Sequence, residues 1–585
     1  MADNNEIQNH DDQVVVDSAR SKLSDLWKLE DCWCIWLGFL ILVMSLVIYL
    51  PAGTEEVKNT INESNTILKK ESESAPFKTT AWYIALDKKA KLKATNSEIG
   101  KEITNLTSHP KKWSDNPLDA FFRGEEETNL IKQDAEKKYL EAKDKEAKAL
   151  ELAKLAELEA ARFNFKNEEL NLKAISAIDE WRTTVNITSI EKKKTGVTPY
   201  NQIPELILFM VILAVLFGFG WKIMGHSFWR FVIGFSFVFI IAVLSYTFAN
   251  NSTMSHYGIG YPGWAILLGL IISNTIGTPK WVKPAVQTEY FIKTGLVLLG
   301  AEILFGKILS IGIPGIFVAW VVTPIVLITT FWFGEKIIKI SLKTLNITIS
   351  AAVSVCGVSA AIATAAACRA KKEELTLAVG LSLIFTSIMM IAMPAFIKFV
   401  GMSYILGGAW MGGTIDATGA VAAAGAFLSD RALYVAATIK MIQNVLIGII
   451  AFFVALYWVA KIDRKQGQRI SVLEIWYRFP KFVIGFIVAS IVFSLIYQYL
   501  GNDMAYVVID HGAIGGLSKI FRGWFFCLAF VSIGLATDFR ELKSYFTGGK
   551  PLILYIFGQT FNLILTLIVA YIMFYIIFPG ITAAI

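Results

Sequence analysis

A single carboxylate, Asp416, stands inside the apolar stretch GGAWMGGTIDATGAVAAAG, with Gly407, Gly408, Gly412 and Gly413 before it and Gly419 and Gly425 after it. The stretch is as long as a membrane span. Irregular backbone at that depth is tolerated only where it lines a cavity or is buried in protein, so a carboxylate beside this much glycine implies a polar site with open backbone. Asp416 suits two chemistries: a cation ligand, or a proton-carrying carboxylate that a conformational change exposes. A structural reading makes it the N-cap of a helical segment beginning at Ala417, which also accounts for Thr414. A half-helix N-terminus at that depth attracts anions, so Gly413, Thr414, Asp416 and Thr418 form one candidate binding group.

Two further groups carry polar chemistry at membrane depth. Lys440 lies in YVAATIKMIQNVLIGII with Gln443 and Asn444 one turn later, a polar stripe on an apolar span. A lysine there needs a partner, and Asp416 is the candidate; snorkelling of its ammonium to an interface is the alternative. In SAAVSVCGVSAAIATAAACRA, Gly357 can break a helix and free backbone groups, while Ser354, Ser359 and Thr364 supply hydroxyls that can replace water around an ion. Tight helix packing through small residues is the alternative there. Asn274, Glu302 and Asp538 sit near span ends, where polar residues are common. No Gly-rich phosphate loop, HExxH or nucleophile elbow is present, so enzyme chemistry and a bound cofactor have no motif to rest on, and no metal-ligand set is identified.

The elements that position these residues follow from composition. Hydrophobic residues make up 55% of 585 positions, with a mean hydropathy of +0.52, which excludes a soluble globular chain. Apolar runs of near-spanning length recur at about 33–51, 203–220, 231–248, 262–277, 295–306, 315–334, 377–399, 432–460, 479–500, 521–537 and 551–579. Runs at 344–368 and 404–428 are as long but richer in small residues. The fold class is thus an all-α polytopic membrane protein of about 11 transmembrane helices plus two re-entrant or broken helices. The first run follows a polar segment, 1–32, and no A-x-A-like site follows it, so it reads as a retained anchor. Cys32, Cys34, Cys356, Cys368 and Cys527 lie in or beside apolar runs and suggest no disulfide framework. The net charge of +7 is modest for this size and concentrated in loops, which argues against nucleic-acid binding.

Between the anchor and the core at 203–585 lies an insert, 52–202, without a membrane-length apolar run. From about 125 to 182 it is dense in Ala, Glu, Lys and Leu without Gly or Pro, which predicts a long helix. Leu140, Ala147, Leu150, Leu155, Leu158 and Phe165 form a broken apolar stripe that suits a helical hairpin or a homodimer contact better than a sustained coiled coil.

Topology follows from Lys and Arg in the short loops. Lys461, Arg464, Lys465 and Arg469, with Lys336, Lys339 and Lys343, and Lys280, Lys283 and Lys293, mark one side; the loop 249–261 carries neither residue and marks the other. Counting back places the N-terminus inside and the insert outside. Arg369, Lys371 and Lys372 stay inside only if the run before them enters and returns, and the run at 404–428 must then return from the outer face. Two opposed elements are what an inverted repeat produces. Internal similarity agrees: 296–312 resembles 528–546, with Gly300 matching Gly534 and Phe305 matching Phe539, and 358–367 resembles 416–425.

The segment 203–585 resembles the YeiH-type sulfate exporter family, also called the UPF0324 membrane proteins. The resemblance rests on LLGLIISNTIG at 267–277, GLVLLGAEI at 295–303, VCGVSAAIA at 355–363, GGTIDATGAVAAAG at 412–425, ATIKMIQNVL at 437–446 and SIGLATD at 532–538. It implies a bacterial inner-membrane carrier working by alternating access about broken helices. This chain has Asp416 where the family pattern expects a histidine and Gln443 where it expects an arginine, a less cationic pocket for a divalent anion. The sulfate label is itself only proposed for the family, so the resemblance carries the transport role and not the substrate. The expectation is a dimeric secondary transporter of a small polar or anionic solute. A cation or proton antiporter is the nearer alternative, and a membrane sensor or scaffold using the insert the more distant one.

Overall fold

The computed structural model describes residues 24–256, 260–303, 305–463, 476, 479–538, 540 and 549–584. Residues 1–23, Arg464, Lys465, Arg469 and Phe539, used above to read topology and repeats, lie outside the described residues. Two compact units emerge. The first holds the described residues up to Leu42 with Met210–Leu495 and Ser518–Ile585; the second holds Val43–Phe209 and Ile496–Leu517.

The chain is helical almost throughout. α1 (Glu30–Tyr49) is followed by α2 (Glu55–Ser74), α3 (Thr80–Ala90) and a long pair, α4 (Glu125–Arg162) and α5 (Glu168–Thr195). Next come α6 (Ile203–Ile223), α7 (Phe228–Ala249), α8 (Tyr261–Thr275), α9 (Thr288–Glu302), α10 (Phe305–Ile316) and α11 (Val322–Lys336). The central set is α12 (Lys343–Ser354), α13 (Gly357–Cys368), α14 (Lys372–Phe399), α15 (Tyr404–Thr414), α16 (Thr418–Leu428), α17 (Asp430–Asn444) and α18 (Leu446–Tyr457). α19 (Phe482–Leu500), α20 (Lys519–Ala536) and α21 (Lys550–Tyr571) follow. Among the described residues, nine helical segments are long and apolar enough to cross a bilayer. Two of the eleven expected runs fall on α8 and α9, which have only 15 residues each and so reach about 22 Å at 1.5 Å per residue.

In the first unit, α9 and α20 are buried nearly all round and pack on each other, with Gly295 against the Phe526 ring. α20 also crosses α8 at a glycine pair: a Cβ on Gly534 would lie 2.5 Å from the Ile266 carbonyl oxygen and 2.8 Å from the Gly269 Cα. Phe217, Tyr290, Phe291 and Phe525 fill the space beside them edge to face.

α12 and α13 form a helical hairpin rather than one continuous span. Thr348 on α12 and Cys368 at the end of α13 are within hydrogen-bond reach, although a straight helix would set them about 30 Å apart. α15 and α16 form a second hairpin. Gly407 approaches Leu428, and α15 runs parallel to α17, with Gly408 on Ala432 and Gly412 on Ala436. The 28-residue α14 joins the open end of the first hairpin to the open end of the second, so the two hairpins start from opposite ends of α14.

The second unit corrects the expected stripe of the insert. α4 and α5 pair as an antiparallel hairpin through small residues, Thr128, Ala135, Ala142, Ala153, Ala156 and Ala160, against Ala174, Ile178 and Trp181. Leu150 and Phe165 pack, but Leu140, Ala147, Leu155 and Leu158 face outward. Alanines let the two axes approach closely, and the leucines fall on the opposite side of the same helix. A two-residue strand pair, β1 (Phe122–Arg123) with β2 (Tyr200–Asn201), closes the base of the hairpin. Asp503 joins this unit through Lys89 Nζ at 2.7 Å and Asn65 Nδ2 at 2.8 Å.

Candidate functional site

The tips of the two hairpins, Val355–Cys356 and Ile415–Ala417, are non-helical backbone between helices, extended at Cys356, Ile415 and Ala417. Each tip therefore leaves the carbonyls of one helix and the N–H groups of the next without helical partners. The carbonyl ends are covered. Lys440 Nζ donates to Val355 O at 2.6 Å, and Gln443 Nε2 donates to Ser354 O at 3.0 Å, to Gly413 O at 3.2 Å and to Thr323 Oγ1 at 3.2 Å. From α21, Asn562 Nδ2 reaches Val353 O at 3.1 Å and Gln559 Nε2 reaches Thr414 O at 3.1 Å. One amide thus binds both tips, which fixes the meeting point of the hairpins.

The donor ends are different. Neither α13 nor α16 has a side-chain cap; the N-cap residues are Cys356 and Ala417. Asp416 is therefore not the N-cap the sequence suggested, because the helix begins one residue later, at Thr418. Its carboxylate instead accepts from the Tyr555 hydroxyl and from Ser382 Oγ at 3.3 Å. Nor is Lys440 hydrogen-bonded to it: the ammonium is directed to Val355 O and to Gln443 Oε1 at 2.8 Å. The two charges share a buried layer, each about 1% exposed, without the direct pair that the sequence implied. Gly357 seals the layer, since a Cβ there would lie 1.7 Å from Ser382 Oγ and 3.3 Å from Asp416 Cβ.

A cavity of about 600 Å³ runs from the tips along α13 and α18. Ser359, Thr418 and Asn444 line its inner end; Glu30, Asp31, Glu289, Lys293 and Lys481 line it further out. Asn444 Nδ2 donates to Thr418 Oγ1 at 3.0 Å, and its Oδ1 is buried with no protein partner. Lys293 Nζ lies 2.8 Å from Glu30, 2.9 Å from Asp31 and 3.7 Å from Glu289. Gly357, Gly413, Thr414, Asp416, Lys440 and Gln443 form the layer behind the cavity wall, and Thr364 is buried one helical step further along α13.

The other end of α9 carries a second charged cluster. Arg522 Nε lies 2.7 Å from Glu302, both nearly inaccessible; Arg522 also approaches Asp430 at 3.7 Å, Lys519 pairs with Asp430 at 2.8 Å, and Tyr434 Oη donates to Glu302 at 3.5 Å. These contacts tie α9 and α20 to the first turns of α17. Glu302, the last residue of α9 as the sequence suggested, is thus also a buried ion-pair member.

Sequence reading missed Tyr555, Gln559, Asn562, Ser382 and Arg522. Three of them had a signal: Tyr555, Gln559 and Asn562 recur at helical spacing, with Thr566 continuing the series, on one side of an otherwise apolar span. Among the described residues no group of three His, Cys, Asp or Glu is placed to hold a metal ion.

Fold and site define a class: an all-α, multi-span membrane protein in which two helical hairpins meet tip to tip beside a cavity. Residues 233–555 match the family model described as conserved hypothetical protein 698. The chain is 56% identical over 98% of its length to a UPF0324 membrane protein of Nitratidesulfovibrio vulgaris, all of which it covers. It is 58% identical over 64% of its length to one of Rhodopirellula baltica, covering 68% of that chain, and 31% identical over 60% to one of Nitrosomonas europaea, covering 79%. The chain belongs to the UPF0324 membrane-protein family. No solved structure matches it.

Proposed function

We propose that the protein is a secondary transporter that moves a small anionic solute by alternating access, with the solute held where the hairpin tips meet. One observation carries the reading: the carbonyl ends of both hairpins are covered by Lys440, Gln443, Gln559 and Asn562, while the donor ends of α13 and α16 stay uncapped beside a cavity. Helix N-termini carry about half a positive charge and free N–H groups, so what remains on offer at this site is anion binding. Ser359, Thr418 and Asn444 supply the polar wall; Gly357 lets the tips approach, and Gly413 leaves room for Thr566 and Val318.

The two charged clusters supply the gates. The cavity is bordered by charge at the Lys293 end, whereas the Glu302–Arg522–Asp430 contacts tie the helices together at the other end. In this reading the Lys293 side is cytoplasmic, in keeping with Lys336, Lys343 and Lys371 on the same side, the insert 52–202 is extracytoplasmic, and the membrane is the inner membrane. Asp416, bonded to two hydroxyls and not to Lys440, is the proton carrier that couples transport; this favours proton-driven exchange over a purely passive carrier.

Solute flux into proteoliposomes tests the site. Asp416→Asn keeps an acceptor for Tyr555 and Ser382, so it is expected to fold normally and to lose flux. Leu155→Ala, on the outward face of the insert, is expected to run at the wild-type rate. Normal flux in Asp416→Asn would place the coupling site elsewhere.

A further inference from the structure

The walls of the cavity change character in order. At the tips they are polar: Ser359, Thr418 and Asn444. One helical turn away, on the same faces of α13 and α18, stand Ile362, Ala363 and Ile447, and beyond them Phe479 and Phe482. Charged groups follow only at the Glu30–Lys293 end. A fully hydrated divalent oxyanion would gain nothing from the middle zone, and a site for it would need several cations at the head position. The head position here has helix N-termini and neutral hydroxyl and amide groups, while Lys440 is directed to the Val355 carbonyl. The buried Asn444 Oδ1 without a protein partner points to a ligand in addition to the helix ends. Turned over, the same amide donates to a bound oxygen while the Thr418 hydroxyl bonds its carbonyl. The volume of about 600 Å³ is that of a pocket for an organic molecule, far more than an inorganic oxyanion fills.

From this order we infer that the solute is an organic monoanion, a sulfonate or carboxylate with an apolar body, rather than inorganic sulfate. Its charged head lies between the N-termini of α13 and α16 at Ser359, Thr418 and Asn444, and its body lies against Ile362, Ala363 and Ile447. The inference rests on the anion-site reading above and narrows it.

Binding to the purified full-length protein, measured by calorimetry, separates the two. The probes are sulfate, methanesulfonate, butanesulfonate and hexanesulfonate, with hexanol as the neutral control. Affinity is expected to rise about three- to fourfold per added methylene, the value for burying apolar surface, until the body fills the zone beside Ile362. Ile362→Ser, at a cavity-lining position, is expected to flatten that dependence and leave methanesulfonate unchanged; Asn444→Asp is expected to weaken every anion at least tenfold. Sulfate binding as tightly as hexanesulfonate, with sensitivity to Asn444→Asp, overturns the organic-anion inference and leaves the anion site standing. Hexanol binding as well as hexanesulfonate, or a chain-length dependence indifferent to Ile362→Ser, also overturns it. Anion binding indifferent to Asn444→Asp overturns the site itself.

Discussion

At the residue scale the site is held by a few amides that cover several carbonyls each. Gln443 is the extreme case: one Nε2 serves Ser354 O, Gly413 O and Thr323 Oγ1, and its Oε1 accepts from Lys440. Gln443→Leu takes its donor from Gly413 O and one acceptor from Lys440, at about 1–3 kcal/mol for a buried group left without a partner, while Thr323 Oγ1 and Ser354 O keep each other at 3.1 Å. A clearly lowered thermal midpoint of the purified protein is expected, whereas Asp416→Asn should melt close to wild type. Gly357 makes the complementary point about space. Gly357→Ala drives a methyl into Ser382 Oγ, and the double variant with Ser382→Ala relieves only part of the clash, because the Ser382 Cβ would still lie 2.8 Å from the new methyl. A double-mutant cycle on thermal stability should therefore show coupling of roughly 0.5–3 kcal/mol. These contacts join residues 34 to 209 positions apart, which is why Ser382, Tyr555 and Asn562 were not legible beside Asp416 in the chain. Asp416 itself was legible, since a carboxylate in an apolar run needs no partner to be noticed.

At the scale of elements, close helix contacts are set by small residues in both units. The α8–α20 crossing leaves no room at Gly534, and the α4–α5 hairpin none at Ala153 or Ala160, both fully buried. Ala160→Leu overpacks that seam and should cost about 1–3 kcal/mol, whereas Leu158→Ala, on the outward face, should fall within about ±0.5 kcal/mol. Limited proteolysis of the insert reads the difference, with the Ala160→Leu protein cut faster. Composition predicted one long helix over about 125–182 where the chain folds as two, α4 and α5, with a turn at 163–167 between them, and the apolar stripe assigned the wrong face to α4, because leucine outweighs alanine in any hydrophobic count. Close approach of two backbones rewards the smaller side chain.

At the scale of the whole molecule, each unit carries its own sensitivity to conditions. In the second unit, burial lowers the His109 imidazole from 6.5 to about 4. Between those values the unfolded chain binds the extra proton and the folded unit does not, so the stability due to neutral His109 is present above pH 6.5 and is lost as pH falls toward 4. The loss amounts to about 3 kcal/mol at full protonation. Melts of wild type and His109→Gln across pH 7 to 4 should diverge over that window, with the variant flatter. In the first unit the charged clusters at the two ends of α9 predict sidedness. Ser359→Cys should react with an impermeant thiol reagent from the Lys293 face, and adding Asp430→Asn, which loosens the Arg522 and Lys519 contacts, should raise labelling from the opposite face. Labelling that is equal from both faces before that change would contradict the gate.

Much of this molecule is determined by information local to the chain. Span lengths, the two small-residue runs, the charge asymmetry of their loops and the lone Asp416 follow from solvation, since hydrocarbon admits few charges and no unpaired backbone. That was enough to expect a turn or break in each small-residue run, at Gly357 and beside Asp416. Which donors serve which carbonyls is another matter. Lys440 turns to Val355, Asp416 to Tyr555, Glu302 to Arg522, and the tips are left with bare N–H groups facing a cavity. Only the tertiary structure decides these pairings, because a buried polar group takes the partner that packing brings within about 3 Å, and sequence separation has no bearing on that distance.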